Sequence, residues 1–333
     1  MPHLVSAARV AQRDGAVVWS ADGLVTFDLP ARAHAPVHLP GGRVLMMGRR
    51  PGLFASMIDP RDASLKASSF APAKDCRFAG HAAVSPDGST LVTSEFHAET
   101  FEAVLSARDP RTGAQRTCWR PGGIEPHEIL FANEGARLIV ALGGLIEDGG
   151  VAGPAFNPGG VRSAVLEVDP LSGRVLARHA FDGTRSSLSL RHLAVTPDGG
   201  TAVVAAQDQD VAASQPLLAV LRPGKALEFL SWPDPRDCDF RGYVGSVAVE
   251  RGGAFAAAAS PRGGVVGIWS VADGRWLGGV SIADACGLAA AAEPGKFWAS
   301  SGLGRMVKID AVSRRIEAQW TAEAGFDNHL LLV

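Results

Sequence analysis

One phrase recurs along this chain and constrains what it can fold into. Arg191-His192-Leu193-Ala194-Val195-Thr196-Pro197-Asp198-Gly199-Gly200, followed by the apolar run 201–206, reads as a short strand, a tight Pro-Asp-Gly turn and an antiparallel return strand. His81-Ala82-Ala83-Val84-Ser85-Pro86-Asp87-Gly88 repeats it before 90–96, and His127-Glu128-Ile129-Leu130-Phe131 before 137–143. His34-Ala35-Pro36-Val37, Gly245-Ser246-Val247-Ala248-Val249 and Cys286-Gly287-Leu288-Ala289 are further copies, and Asn328-His329-Leu330-Leu331-Leu332-Val333 ends the chain on a seventh. Counted from positions 34, 81, 127, 192, 246, 287 and 329, the intervals are 47, 46, 65, 54, 41 and 42 residues. A period of about 40–50 residues made of short, turn-bounded runs is that of a propeller with four strands per blade. Paired-helix repeats of similar length fail, because no segment sustains helical spacing. The expected fold is all-β: one domain over 1–333, a seven-bladed β-propeller with four antiparallel strands per blade.

The two ends are expected to share a blade. Residues 4–30 read as three strands (4–10, 15–20 and 24–30) with an Asp22-Gly23 turn but no preceding phrase, whereas 326–333 opens an inner strand with nothing after it. The C-terminal strand should pair with the N-terminal three and close the ring, removing two sheet edges. Truncation of 330–333 should then damage the fold far more than trimming a tail. Asp109-Pro110-Arg111-Thr112-Gly113, Asp169-Pro170-Leu171-Ser172-Gly173 and Val271-Ala272-Asp273-Gly274 are read as outer turns whose residues supply turn geometry. The blade opening at His127 is longer than the others by about 18 residues, a Gly-rich stretch over 145–160. It lacks the Gly-Lys-Ser/Thr ending of a P-loop; it is read either as a lid over the channel mouth or as an inert insertion.

Composition excludes several classes. A net charge of −2 favours neither nucleic acid nor an anionic membrane as partner, and no apolar run reaches the roughly 18 residues of a membrane span. The four cysteines, at 76, 118, 238 and 286, show no CxxC spacing for zinc; their even number leaves disulfides open. Residues 1–10 lack a basic start followed by a long apolar core, so no export signal is visible.

In a propeller the first strand of each blade starts at the face to which the second returns, so strand-one starts and strand-two ends should be neighbours at the top of the channel. Those positions hold His34, His81 with Glu95, His127 with Glu128, Arg191 and His192 with Gln207, Ser246 with Arg262, Cys286 with Ser300, and His329. Five of nine histidines share one equivalent position. The expected ligand-binding set is therefore His34, His81, Glu95, His127, Glu128, Arg191, His192, Gln207, Arg262 and His329. A bland alternative is that each histidine ties adjacent blades together. Imidazoles with Glu95 or Glu128 suit a transition metal on the channel axis. Arg191 and Arg262 suit a carboxylate or phosphate, and His–Glu pairs suit acid–base work. No Gly-x-Ser-x-Gly elbow or HExxH occurs.

Gly80-His81, Pro126-His127-Glu128, Leu188-Ser189-Leu190-Arg191-His192-Leu193, Gly245-Ser246-Val247-Ala248, Ser260-Pro261-Arg262-Gly263-Gly264 and Asp284-Ala285-Cys286-Gly287 together resemble the bacterial domain-of-unknown-function family 1513, over nearly the whole chain. The resemblance implies a seven-bladed propeller exported to the periplasm through a twin-arginine signal, encoded near imelysin-like proteins in loci connected with iron uptake, with no established catalytic activity. This chain shows no such leader; Arg49-Arg50 lies inside a blade. The leading expectation is a periplasmic binding propeller for a small molecule or a metal- or haem-related ligand, with a periplasmic protein partner also open. The alternatives are a metal-dependent hydrolase or lactonase and a protein-interaction scaffold.

Overall fold

A computed structural model describes residues 3–20, 23–145, 161–181, 187–210 and 215–333. They form seven antiparallel sheets of a seven-bladed β-propeller; the helical content among the described residues is one 3-10 turn, Asn133–Gly135. Six sheets take four consecutive strands. The second runs from Ala33–His38 to Ser68–Phe70, the third from Cys76–Val84 to Gln115–Trp119, and the fourth from Pro126–Ala132 to Val175–His179. The fifth runs from Leu188–Val195 to Glu228–Phe229, the sixth from Ser246–Val249 to Trp276–Ser281, and the seventh from Ala285–Ala290 to Arg315–Thr321.

The first sheet joins the ends of the chain, as expected. Leu4–Val10, Arg13–Ser20 and Gly23–Asp28 supply three strands, and the fourth place is shared by Gly325–Phe326 and Leu331–Leu332, both paired with Leu4–Val10. Asp327 N–H donates to the Ala7 carbonyl at 2.9 Å and Val333 N–H to that of His3 at 2.8 Å. Between these bonds the Ser6 hydroxyl donates to the His329 carbonyl at 2.7 Å.

Burial follows strand position. Second strands such as Val44–Gly48 and Arg137–Leu142 are almost wholly buried, because both faces of the strand meet apolar neighbours, and their sequences are continuous apolar runs. The outermost strand Arg315–Thr321 instead alternates exposed and half-buried residues, the period of two of a strand with one wet face. The outer turns are structural: the Asp109 carboxylate accepts the N–H groups of Arg111 and Thr112 at 2.8 and 3.1 Å, and Asp169 those of Leu171 and Ser172. No two of the four cysteines are bridged.

The chain divides into two compact units, residues 26–191 and residues 1–25 with 192–333. In the first, Ala83, Val92 and Leu105 of the third sheet pack with Ile129, Leu138 and Leu166 of the fourth. In the second, Trp19 lies 5.9 Å from Trp298 and 5.2 Å from Trp320 between ring centroids, in a cluster that also holds Phe326 and Leu330.

Candidate functional site

The three histidine phrases of the 26–191 unit share a local device. Pairing of the first strand with the second slips between Ala33 and Pro36 in the second sheet, between Phe78 and Ala82 in the third, and between Pro126 and Ile129 in the fourth. His34, His81 and His127 each sit inside such a break. A register break takes its residues out of the alternating pleat and re-aims their side chains. Gly80 makes the middle one: its φ is +101°, a backbone region costly for other residues. A Cβ there would lie 3.0 Å from His34 Cδ2, so the glycine also leaves room for the neighbouring ring.

The three imidazoles converge and are buried. Ring centroids are 5.0 Å apart for His34–His81, 4.8 Å for His81–His127 and 6.5 Å for His34–His127. One ring nitrogen of each lies within 4.8 Å of those of the other two.

Two carboxylates flank the trio. Glu128, in the same register break as His127, places Oε1 3.8 Å from His81 Nδ1. Glu125, at φ +56° just before Pro126–Ala132, places Oε1 3.9 Å from His127 Nδ1. Glu125 is buried, accepts the Leu145 N–H at 2.8 Å, and forms ion pairs with Arg50 and with Arg191, the latter at 3.3 Å. Arg191 also donates from Nε to the Ser189 hydroxyl at 3.3 Å. Any side chain at Gly143 would strike the Glu125 carboxylate, which accounts for glycine there. The cluster thus offers three imidazole bases, two acids and two guanidinium groups, with Glu128 and Arg50 half-buried and the rest buried, a set suited to binding a charged ligand.

Sequence reasoning missed Glu125 and Arg50. Glu125 stands two residues before His127, beside a phrase already singled out, and its left-handed backbone is what turns it toward the trio. Arg50 stands two residues after Val44–Gly48, where the rule of looking at second-strand ends points; as half of Arg49-Arg50 it is weighed in the sequence only as an export motif.

The remaining expected members have neighbours of their own. Glu95 does not join the imidazoles. It lies opposite Phe78, outside the register break, and so keeps the core-facing side of its strand. There it accepts from Arg108 Nη2 at 2.8 Å, the Thr93 hydroxyl at 2.7 Å and the Ala73 N–H at 2.7 Å, with the Arg108 guanidinium 5.0 Å from the Phe70 ring centre. It is a buried structural ion pair. Gln207 is half-buried and bridges to Tyr243 through the backbone, and the exposed Arg262 lies over the Tyr243 ring at 4.7 Å. That contact places the Arg262 guanidinium on an aromatic face of its own unit. His192 and His329 belong to the other unit, where their ring centroids are 5.0 Å apart.

His81 is also not the first residue of its strand: Cys76–Val84 begins five residues earlier, and Arg191 and His192 lie inside Leu188–Val195. The Gly-rich stretch read either as a lid or as an inert insertion lies, over 146–160, outside the described residues. Burial pushes the Cys286 thiol up to about 12 and the Cys76 thiol up to about 11, so both are protonated at neutral pH and poor nucleophiles.

Comparison with known proteins agrees with the fold. The chain is similar to a solved chain of Kuenenia stuttgartiensis hydrazine synthase, with a TM-score of 0.65 and 13% identity over 92% of this chain and 89% of that one. At that identity the likeness concerns the fold. No curated protein matches the chain. A family model described as "Protein of unknown function (DUF1513)" matches residues 27–333, taking in six full sheets and every residue of the imidazole cluster. The chain belongs to the DUF1513 family of propellers.

Proposed function

We propose that this protein is a binding propeller of the bacterial periplasm, associated with iron uptake, and that its 26–191 unit receives a small charged ligand at His34, His81, His127, Glu125, Glu128, Arg50 and Arg191. One observation carries the reading: three separate register breaks, in three consecutive sheets, turn three buried imidazoles to one point. Tying blades together does not require the rings to meet each other, whereas holding one ligand does. The periplasmic and iron-uptake setting is supported by the family resemblance alone. The sequence carries no nucleophile motif, so a hydrolase would have to be the metal-dependent kind.

The test is calorimetry of the full chain with ferric citrate and with haem, repeated on His127→Ala and Arg191→Ala after circular dichroism shows both variants folded. One of the two probes should bind the wild-type chain and bind each variant at least about 10-fold more weakly, the loss of a charge-assisted hydrogen bond. Binding of neither probe, or binding that both substitutions leave unaltered, removes the reading.

A further inference from the structure

We propose that His34, His81 and His127 together ligate one divalent first-row transition-metal ion, with Glu128 and Glu125 orienting two of the rings. The inference rests on the cluster being a binding site and names the chemistry of what it holds. Three imidazoles, one from each of three neighbouring sheets, form a facial set that leaves coordination positions open, the arrangement of a metal site that also takes an outside ligand. Their nitrogens already lie within 4.8 Å of one another. A metal–nitrogen bond of about 2.0–2.1 Å needs a tighter triangle, which imidazole rotation about χ1 and χ2 supplies without moving the strands.

The carboxylates are placed for the second role such sites require. A ligating histidine nearly always donates its other ring N–H to a carboxylate, carbonyl or water, which sets the tautomer and raises ligand basicity. His81 Nδ1 faces Glu128 at 3.8 Å and His127 Nδ1 faces Glu125 at 3.9 Å. A small turn of either ring makes each a hydrogen bond and leaves Nε2 to the metal. Imidazole nitrogen suits zinc, cobalt, nickel and copper in preference to calcium or magnesium.

Local charge specifies the outside ligand. Glu125 and Glu128 are balanced by Arg50 and Arg191 in the same cluster, so a bound dication leaves the site positive. The open coordination positions therefore suit an anionic oxygen group, beside two guanidinium groups that attract it. Two other buried acids offer no such place: Glu95 is held by Arg108, Thr93 and Ala73, and Glu250 by the N–H groups of Gly252, Ala254, Phe255 and Gly295.

The experiment uses the full chain without an affinity tag, stripped with EDTA and dialysed. Zn²⁺ is titrated by calorimetry and Co²⁺ by visible absorption, whose d–d bands report coordination number and nitrogen donors. One equivalent of each ion should bind, His81→Ala and His81→Asn should both abolish binding, and Glu128→Gln should weaken it 10–100-fold, the usual effect of losing an orienting carboxylate. Two histidine substitutions are used so that one folded variant, checked by thermal melting, suffices. No stoichiometric Zn²⁺ or Co²⁺ uptake, or uptake indifferent to the His81 substitutions, overturns the proposal. Ferric citrate or haem binding that persists in the EDTA-treated protein, with no Zn²⁺ or Co²⁺ uptake, overturns the metal and leaves the binding-propeller reading standing. Loss of both sinks both.

Discussion

Glu125 is the residue on which the cluster's electrostatics turn, and Glu125→Gln tests that directly. The amide keeps the shape of the side chain and an oxygen to accept the Leu145 N–H, but it removes the charge that faces both guanidinium groups. The Glu125 side chain is 4% exposed, that of Arg191 7% and that of Arg50 16%. Removing one partner of a buried ion pair costs about 3–5 kcal/mol, because the other charge stays desolvated without compensation. Arg50 recovers part of its hydration through its greater exposure, which places the expected loss near the low end, about 3 kcal/mol. With a urea slope of about 3 kcal/mol/M, that loss lowers the unfolding midpoint by about 1 M.

The assay is urea denaturation followed by circular dichroism at unchanged slope, with Arg191→Met and the double variant completing a cycle. If the charges act on each other, the double variant is more stable than the sum of the singles by at least about 1 kcal/mol. A midpoint shift under about 0.3 M, or an additive cycle, would show that the pair has only the worth of a surface ion pair. It would then be wrong to treat Glu125 as the hub that positions Arg50 and Arg191 beside His127.

Two further outcomes follow from other parts of the molecule. Burial raises the Glu250 carboxyl, but four backbone N–H donors outweigh it and hold its pKa below the ordinary value of 4.5; a depressed folded pKa contributes stability above the unfolded value that is lost as pH falls through the folded one. The stability gap between wild type and Glu250→Gln should therefore be full at pH 7 and narrow steadily below about pH 4.5, and a gap that grows on acidification would refute this. Deleting residues 330–333 removes the Leu331–Leu332 pairing, the Val333-to-His3 bond and the buried Leu330. At about 2 kcal/mol for the leucine and about 1 kcal/mol for each ladder bond lost, the deletion should cost at least about 4 kcal/mol by urea denaturation, and an unchanged midpoint would mean the terminal strand adds nothing.

The repeat was readable because its signals are local. Pro-Asp-Gly turns, apolar runs of strand length and Asp-centred outer turns each act within a few residues, and their spacing reports the number of sheets without any knowledge of what packs on what. The odd pieces at the two ends were enough to place the C-terminal strand on Leu4–Val10, since an unpaired inner strand has one natural place to go. The same logic located His34, His81 and His127 at equivalent positions.

Which of the flagged residues meet was decided by tertiary structure. A register break depends on how two strands slip against each other, and a one-residue slip sends a side chain to the opposite face. Glu95 and His81, read as neighbours from strand position, part company because Glu95 lies opposite Phe78, outside the break, and meets Arg108 in the core. Glu125, two positions from His127, and Arg50, weighed in the sequence only as half of Arg49-Arg50, are drawn together because a buried carboxylate needs cationic partners and the fold brings residues 50, 125 and 191 to one place. Short-range turn chemistry thus determined how many sheets there are and where each begins; the slip between paired strands, a property of distant segments in contact, decided which polar groups share a site.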